Sequence, residues 1–473
     1  MDRTPHHLTR QSRRLITGVT LVVAAGLAVV ATPYASPATS RPGGGLTFPN
    51  PSGVIGVIGI DNVNADNPFF RELGTNGRRC VTCHQPAQGW SLTPAELRER
   101  FARTDGLDPI FRPNDGSNCQ GADVSTIRQR RRAFSLLLEK GLIRVGIDVP
   151  ARAEFEIVDV DDPYHCGPGP TSASMHRRPL PSANLKFLSA VMWDGRLSKP
   201  GQAIRDGLIS QVADAVTGHA QGITPTPAQV QSIVDFELGL FSTQVVDRSA
   251  GSLAAGVPRS GAAMLVREPF CLGINDPLDM RPSMPGACAA TSGGLNPYVF
   301  TLFRGWTDAD SPRRQAIARG EAIFNTRQFV IDNVPGLNGR PEDPVRRPLQ
   351  NGTCTICHDT PNAGNHSVPM ALNIGVADGT RRTADLPLYT LRRRATGETV
   401  RTTDPGRAMV TGKWNDIGKF KGPVLRALAA RPPYFHDGSA ATLADVIKFY
   451  DRRFQARFSE QEKADLIAFL QAL

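Results

Sequence analysis

Two pentapeptides constrain this chain more than any other feature: Cys80-Val81-Thr82-Cys83-His84 and Cys354-Thr355-Ile356-Cys357-His358. Both read C-x-x-C-H. Two thiols three positions apart can each add to one vinyl group of the same porphyrin, and the histidine that follows can offer its imidazole to the iron. Zinc needs four ligands converging on one point, and a redox cysteine pair has no use for the added histidine. Cysteine and histidine are scarce, eight and nine copies in 473 residues, so composition alone does not produce the pattern twice. The spacing predicts two covalently bound haem c groups. Cys80, Cys83, Cys354 and Cys357 are the attachment points, and His84 and His358 the iron ligands.

A chain of this length has room for two or three domains. Its 45 glycines and 38 prolines predict much loop, with helices as separate packets. The formal net charge of +10 comes mostly from arginine. There is no lysine-rich run and no nucleic-acid motif, so the reading is a solvated basic surface with no nucleic-acid partner. The propionates of two haems would offset part of that charge.

Arg10, Arg13 and Arg14 precede the uncharged run Leu15 to Val30, and small residues follow through Ala38. Residues 1–38 therefore read as a secretory signal peptide, which predicts export to the periplasm. The run is shorter than the roughly 20 residues of a spanning helix, so membrane attachment would come only from an uncleaved signal anchor. Export permits disulfides among Cys119, Cys166, Cys271 and Cys288. Connectivity is left open, with Cys271–Cys288 the more local pairing.

Helix starts are well marked. Thr93-Pro94-Ala95-Glu96, Thr226-Pro227-Ala228-Gln229 and Ser311-Pro312 each place a hydroxyl cap before proline. Val230, Ile233, Val234, Leu238 and Phe241 are expected on one helix face. Leu443, Val446, Ile447 and Tyr450 share another, and Ser459 to Glu462 forms a capping box before the last apolar run. Residues 105–180 read as a decorated loop region with one helix near Ser125 to Lys140. Few strands are evident. The expected fold is mainly α and loop-rich, with haem domains at 39–250 and 311–473 and an irregular connection at 251–310.

Several motifs lie in order along the chain: Trp193-Asp194-Gly195-Arg196, Phe236-Glu237, and Arg319-Gly320-Glu321 to Phe324. Asp404-Pro405-Gly406-Arg407 and Lys419 to Arg426 come next, then Pro433-Tyr434-Phe435-His436-Asp437-Gly438-Ser439. In these the chain resembles the bacterial di-haem cytochrome c peroxidases and their MauG-like relatives. The resemblance implies two cytochrome c-like domains whose haems face across an interface. The C-terminal haem would receive electrons, the N-terminal haem would meet hydrogen peroxide, and Trp193 would conduct between them. Gln202 and Asp214 match the acid-base pair of the peroxide pocket, with His219, His165 and His176 as further distal candidates. Tyr450 stands where the peroxidases carry a methionine and MauG a tyrosine, which makes it the second iron's far ligand, with Met409 as fallback. His436 would hydrogen-bond near the same haem. Arg178 and Arg431 fall where many relatives bind calcium between domains, and cations there oppose that ion. The implied function is reduction of hydrogen peroxide with electrons from a small c-type cytochrome or similar redox protein. A MauG-like oxidase acting on a protein substrate and a non-enzymatic di-haem electron carrier are the alternatives.

Overall fold

The computed structural model describes residues 39–40, 45–59, 66–166, 169–199, 201–255, 261–271, 273–278, 295–339, 347–365 and 371–473. The expected signal peptide, residues 1–38, lies outside the described residues, and so do Cys288 and part of the 251–310 connection. Ala35–Leu473 forms one compact unit.

The helices start where the caps place them. Thr93, Thr226 and Ser311 accept from the backbone N–H three residues on, and open the helices Pro94–Thr104, Pro227–Leu238 and Pro312–Thr326. The stretch expected to hold one helix holds two, Ile127–Ala133 and Ser135–Lys140, divided at the fully buried Phe134. In the C-terminal half, Pro312–Thr326 crosses Glu460–Ala472 at close range. A Cβ on Gly320 would lie 2.0 Å from the Asp465 carbonyl oxygen, so only glycine allows this approach. Phe300, Phe303, Phe324 and Phe469 interlock over the crossing, and Arg319 clasps Asp465 at its edge.

The expectation of a mainly α chain is corrected by the sheets: the fold is mixed α/β. A five-stranded antiparallel sheet runs Thr39–Ser40, Leu46–Asn50, Gly53–Ile58, Phe241–Asp247, Gly251–Ser252. Phe241, expected on the helix face, instead begins a strand. Phe155–Asp161 pairs with Leu388–Arg393, which pairs with Thr399–Thr402. Ile143–Asp148 pairs with Ser172–Arg177. These strands hide for a physical reason. Phe155 and Ile157 are buried in alternation, but the register then shifts: Leu391 faces Ile157 and Thr390 faces Asp159, leaving Val158 bulged. A bulge breaks the period of two that marks a strand in sequence, and Asp159 to Asp162 then reads as loop.

Cys119 and Cys166 form a disulfide within this region. Cys271 is also disulfide-bonded. No helix among the described residues is long and apolar enough to cross a membrane.

Gly320→Ala should overpack the helix crossing and cost about 1–3 kcal/mol. The expected readout is a lower urea midpoint at unchanged slope; a wild-type midpoint would show that the crossing can open without cost.

Candidate functional site: two cavities sharing a wall

Each C-x-x-C-H motif lines its own cavity. The first, about 1540 Å³ including its open mouth, holds Cys80, Cys83 and His84. The second, about 1700 Å³, holds Cys354, Cys357 and His358. Residues Arg178, Pro179, Leu180, Pro181, Trp193, Lys421 and Pro423 line both, and so form a common wall.

The residues present fit haem. The four motif cysteines are free. Burial pushes the Cys83 thiol up to about 11 and those of Cys354 and Cys357 up to about 12, and raises Cys80 further. His84 Nδ1 faces the Trp90 carbonyl at 3.1 Å, and His358 Nδ1 faces the Gly364 carbonyl at 2.8 Å. Each bond uses Nδ1–H and leaves Nε2 for an iron, the usual way a ligand histidine is held. Burial lowers His84 to about 4 and lowers His358 too, so both rings stay neutral. The common wall adds a third sign. Arg178 and Lys421 are buried and Arg431 is half-buried, and none pairs with a carboxylate among the described residues. Burial and the Arg431 charge push Arg178 down to about 9 and Lys421 down to about 7. Buried cations need anions, and the propionates of haem would supply them.

Trp193 stands in the common wall, its Nε1 donating to the Arg178 carbonyl at 2.8 Å. Its ring meets His436 edge-on at 6.2 Å, and His436 stacks on Phe420 at 4.1 Å. Tyr450 lines the second cavity, as do Leu443, Val446 and Ile447 from the same helix face. Burial, then the nearby Cys357 and Cys354, raise its phenol pKa. Met409 lies elsewhere, in a core cluster with Phe155 and Trp414.

The first cavity departs from the residues matched by resemblance. Gln202 and Asp214 are exposed, and neither lines the cavity. Helix phase is the reason. From Ile204–Asp214 and the π-helical turn Ala215–His219, the cavity receives Leu208, Gln211, Val212, Ala215 and Val216. Those positions recur at helical spacing, and Asp214 falls off that face. Gln202 precedes the helix altogether. His219 does line the cavity. His165 is exposed, and His176 is buried outside both cavities.

Glu237, quoted in sequence only as part of a motif, lines the first cavity, and burial pushes it up to about 8. Arg177 was not singled out at all. It donates to both oxygens of Asp404 at 2.7 and 2.9 Å and to Asp194 at 2.5 Å, with all three residues buried. Burial alone would raise Asp194, but Arg177 and Arg196 override it and hold the carboxyl below its usual range.

No protein-family profile matches the chain. Curated relatives match in part. Cytochrome-c peroxidase IdrP1 of Pseudomonas sp. (strain SCT) is 31% identical over 140 residues, covering 25% of this chain and 36% of that protein. Cytochrome c551 peroxidase of Nitrosomonas europaea is 41% identical over 69 residues, covering 14% and 21%. IdrP2 of Denitromonas iodatirespirans, also a cytochrome-c peroxidase, is 32% identical over 160 residues, covering 31% and 42%. The matches thus span well under half of each relative. Among solved structures, a MauG-like protein associated with microbial copper homeostasis aligns over 88% of this chain and 91% of that one. Its TM-score is 0.37 at 14% identity, a likeness that carries no structural inference. The curated relatives matched over these segments are peroxidases by name, and each of this chain's two C-x-x-C-H motifs lies in a cavity of its own. Over the matched segments the chain is similar to bacterial cytochrome-c peroxidases.

Arg177→Met should destabilise the protein by about 3–5 kcal/mol at neutral pH, since it strands buried carboxylates. The depressed Asp194 contributes stability above the ordinary aspartate value near 4, lost as pH falls through its lower folded pKa. The gap between wild type and variant should therefore narrow below about pH 4. A gap that stays constant on acidification would remove the ionic explanation.

Proposed function

We propose that the protein is a periplasmic di-haem c-type peroxidase. It reduces hydrogen peroxide to water with electrons from a small c-type cytochrome or similar redox protein. The observation that carries this reading is the pair of cavities, each with its own C-x-x-C-H, meeting at a wall that contains Trp193. Cys80 with Cys83, and Cys354 with Cys357, would attach the two porphyrins, and His84 and His358 would hold the irons. When bound, haem supplies the redox chemistry and stores the electrons. The chain's own residues do the rest. Trp193 offers an aromatic path between the cavities, its Nε1 tied to the Arg178 carbonyl. Lys421 and Arg178 hold negative charge at the wall. The disulfide Cys119–Cys166 fits an oxidising compartment, in line with the exported signal read from residues 1–38.

A second reading, a MauG-like oxidase of another protein, is favoured by one residue. Tyr450 lines the second cavity close to its cysteines. An anionic phenolate ligand favours oxidised iron, whereas methionine raises the potential.

The deciding measurement is stopped-flow mixing of peroxide with exported protein whose intact mass includes two porphyrins. A fast change in the haem bands is expected; inert bands in both redox states would leave only an electron carrier. Tyr450→Phe should alter the spectrum of the C-terminal haem, and an unchanged spectrum would return Tyr450 to packing.

A further inference from the structure

We infer that His219 is the group that moves the proton of hydrogen peroxide in the first cavity, and that Asp115 aims it. The inference rests on the proposed function and deepens it. Four observations carry it. His219 lines the same cavity as His84. Its Nδ1 is bound to Asp115 Oδ2, and no hydrogen bond among the described residues engages its Nε2. Asp115 is in turn paired with the buried Arg78. Burial alone would raise the Asp115 carboxyl, but His219 and Arg78 hold it down, so it stays a carboxylate.

The backbone is fixed as firmly as the ring. The His219 carbonyl accepts from Asn76 Nδ2 at 2.8 Å, Arg78 Nη1 at 3.2 Å and Asn114 Nδ2 at 3.4 Å. His219 also closes the π-helical turn Ala215–His219, an irregularity found mostly at functional sites. A side chain 47% exposed does not need three side-chain donors on its own carbonyl and a buried carboxylate on its ring for stability. They make sense for a ring that must present one nitrogen in one direction. In length and place this replaces the carboxylate expected at Asp214, which points away.

The step balances. The nearer oxygen of hydrogen peroxide gives its proton to Nε2. The O–O bond breaks, and the same proton passes to the farther oxygen, which keeps its own hydrogen and leaves as water. Two electrons from the external redox protein and two solvent protons convert the nearer oxygen to the second water.

Cyanide tests the proton role without turnover, because hydrogen cyanide must also lose a proton as it binds ferric haem. His219→Ala and His219→Gln are compared with wild type for porphyrin mass, resting spectrum and cyanide association rate. The expected result is two porphyrins, an unchanged resting spectrum, and association slower by about 10²-fold or more. An unchanged rate overturns the inference. So does a resting spectrum that changes spin state, which would make His219 an iron ligand, or a lost porphyrin, which would make it structural. Wild type that binds cyanide quickly, with slow variants, yet ignores peroxide would sink the peroxidase reading and overturn the peroxide step, leaving His219 a proton acceptor for hydrogen cyanide alone.

Discussion

The wall between the two cavities depends on one buried cation. Arg177 reaches from the end of strand Ser172–Arg177 to Asp194 on one side and Asp404 on the other. The surrounding bonds all converge on the same place. Arg407 donates to the Asp194 carbonyl at 3.0 Å, Lys421 N–H to the Trp193 carbonyl at 2.9 Å, and Arg178 N–H to the His436 carbonyl at 2.7 Å. Segments from both halves of the chain therefore meet at Trp193. Buried ion pairs add little net stability, because desolvation offsets most of the Coulomb gain. What they give here is a single alignment: with any partner out of register, a charge is left buried and alone. Electron exchange between two centres needs a fixed separation, and this hub is a way to fix it.

That hub also explains the limits of reading the chain by itself. Local signals were legible. The caps at Thr93, Thr226, Ser311 and Ser459 act within four residues, and each opens a helix as expected. The cysteine and histidine motifs are local too, and they mark the two cavities. Long-range partners were not legible. Arg177 and Asp404 are 227 positions apart, and Asp115 and His219 are 104 apart. Nothing in either neighbourhood announces the other. The strands failed for the same reason: Phe155–Asp161 is specified by a partner near residue 390, and its bulge erases the alternation that would have shown it alone.

Asp214 illustrates a subtler loss. Matching by resemblance placed it a fixed number of residues after Trp193, but a helix turns about 100° per residue. A shift of one position moves a side chain off the cavity face. Gln211 and Ala215 lie on that face and Asp214 between them does not. Conversely, Tyr450 gained from phase. The helix face it shares with Leu443, Val446 and Ile447 is the cavity wall itself.

On the proposed function, the two cavities differ as their tasks require. The first is lined by Arg71, Arg78, Asp115, Gln211, His219 and Glu237 among its apolar residues. Groups that donate and accept protons crowd the space beside His84. The second is walled by Phe324, Phe329, Leu372, Phe420, Ile447 and Phe454, with Tyr450 among them. Peroxide cleavage needs proton movement and so needs polar neighbours. Electron transfer needs only a redox group shielded from water and a short path out. Both chambers are mostly apolar, but the first alone brings the carboxyls of Asp115 and Glu237 beside its histidine, and the half-buried Trp193 stands in the wall between them.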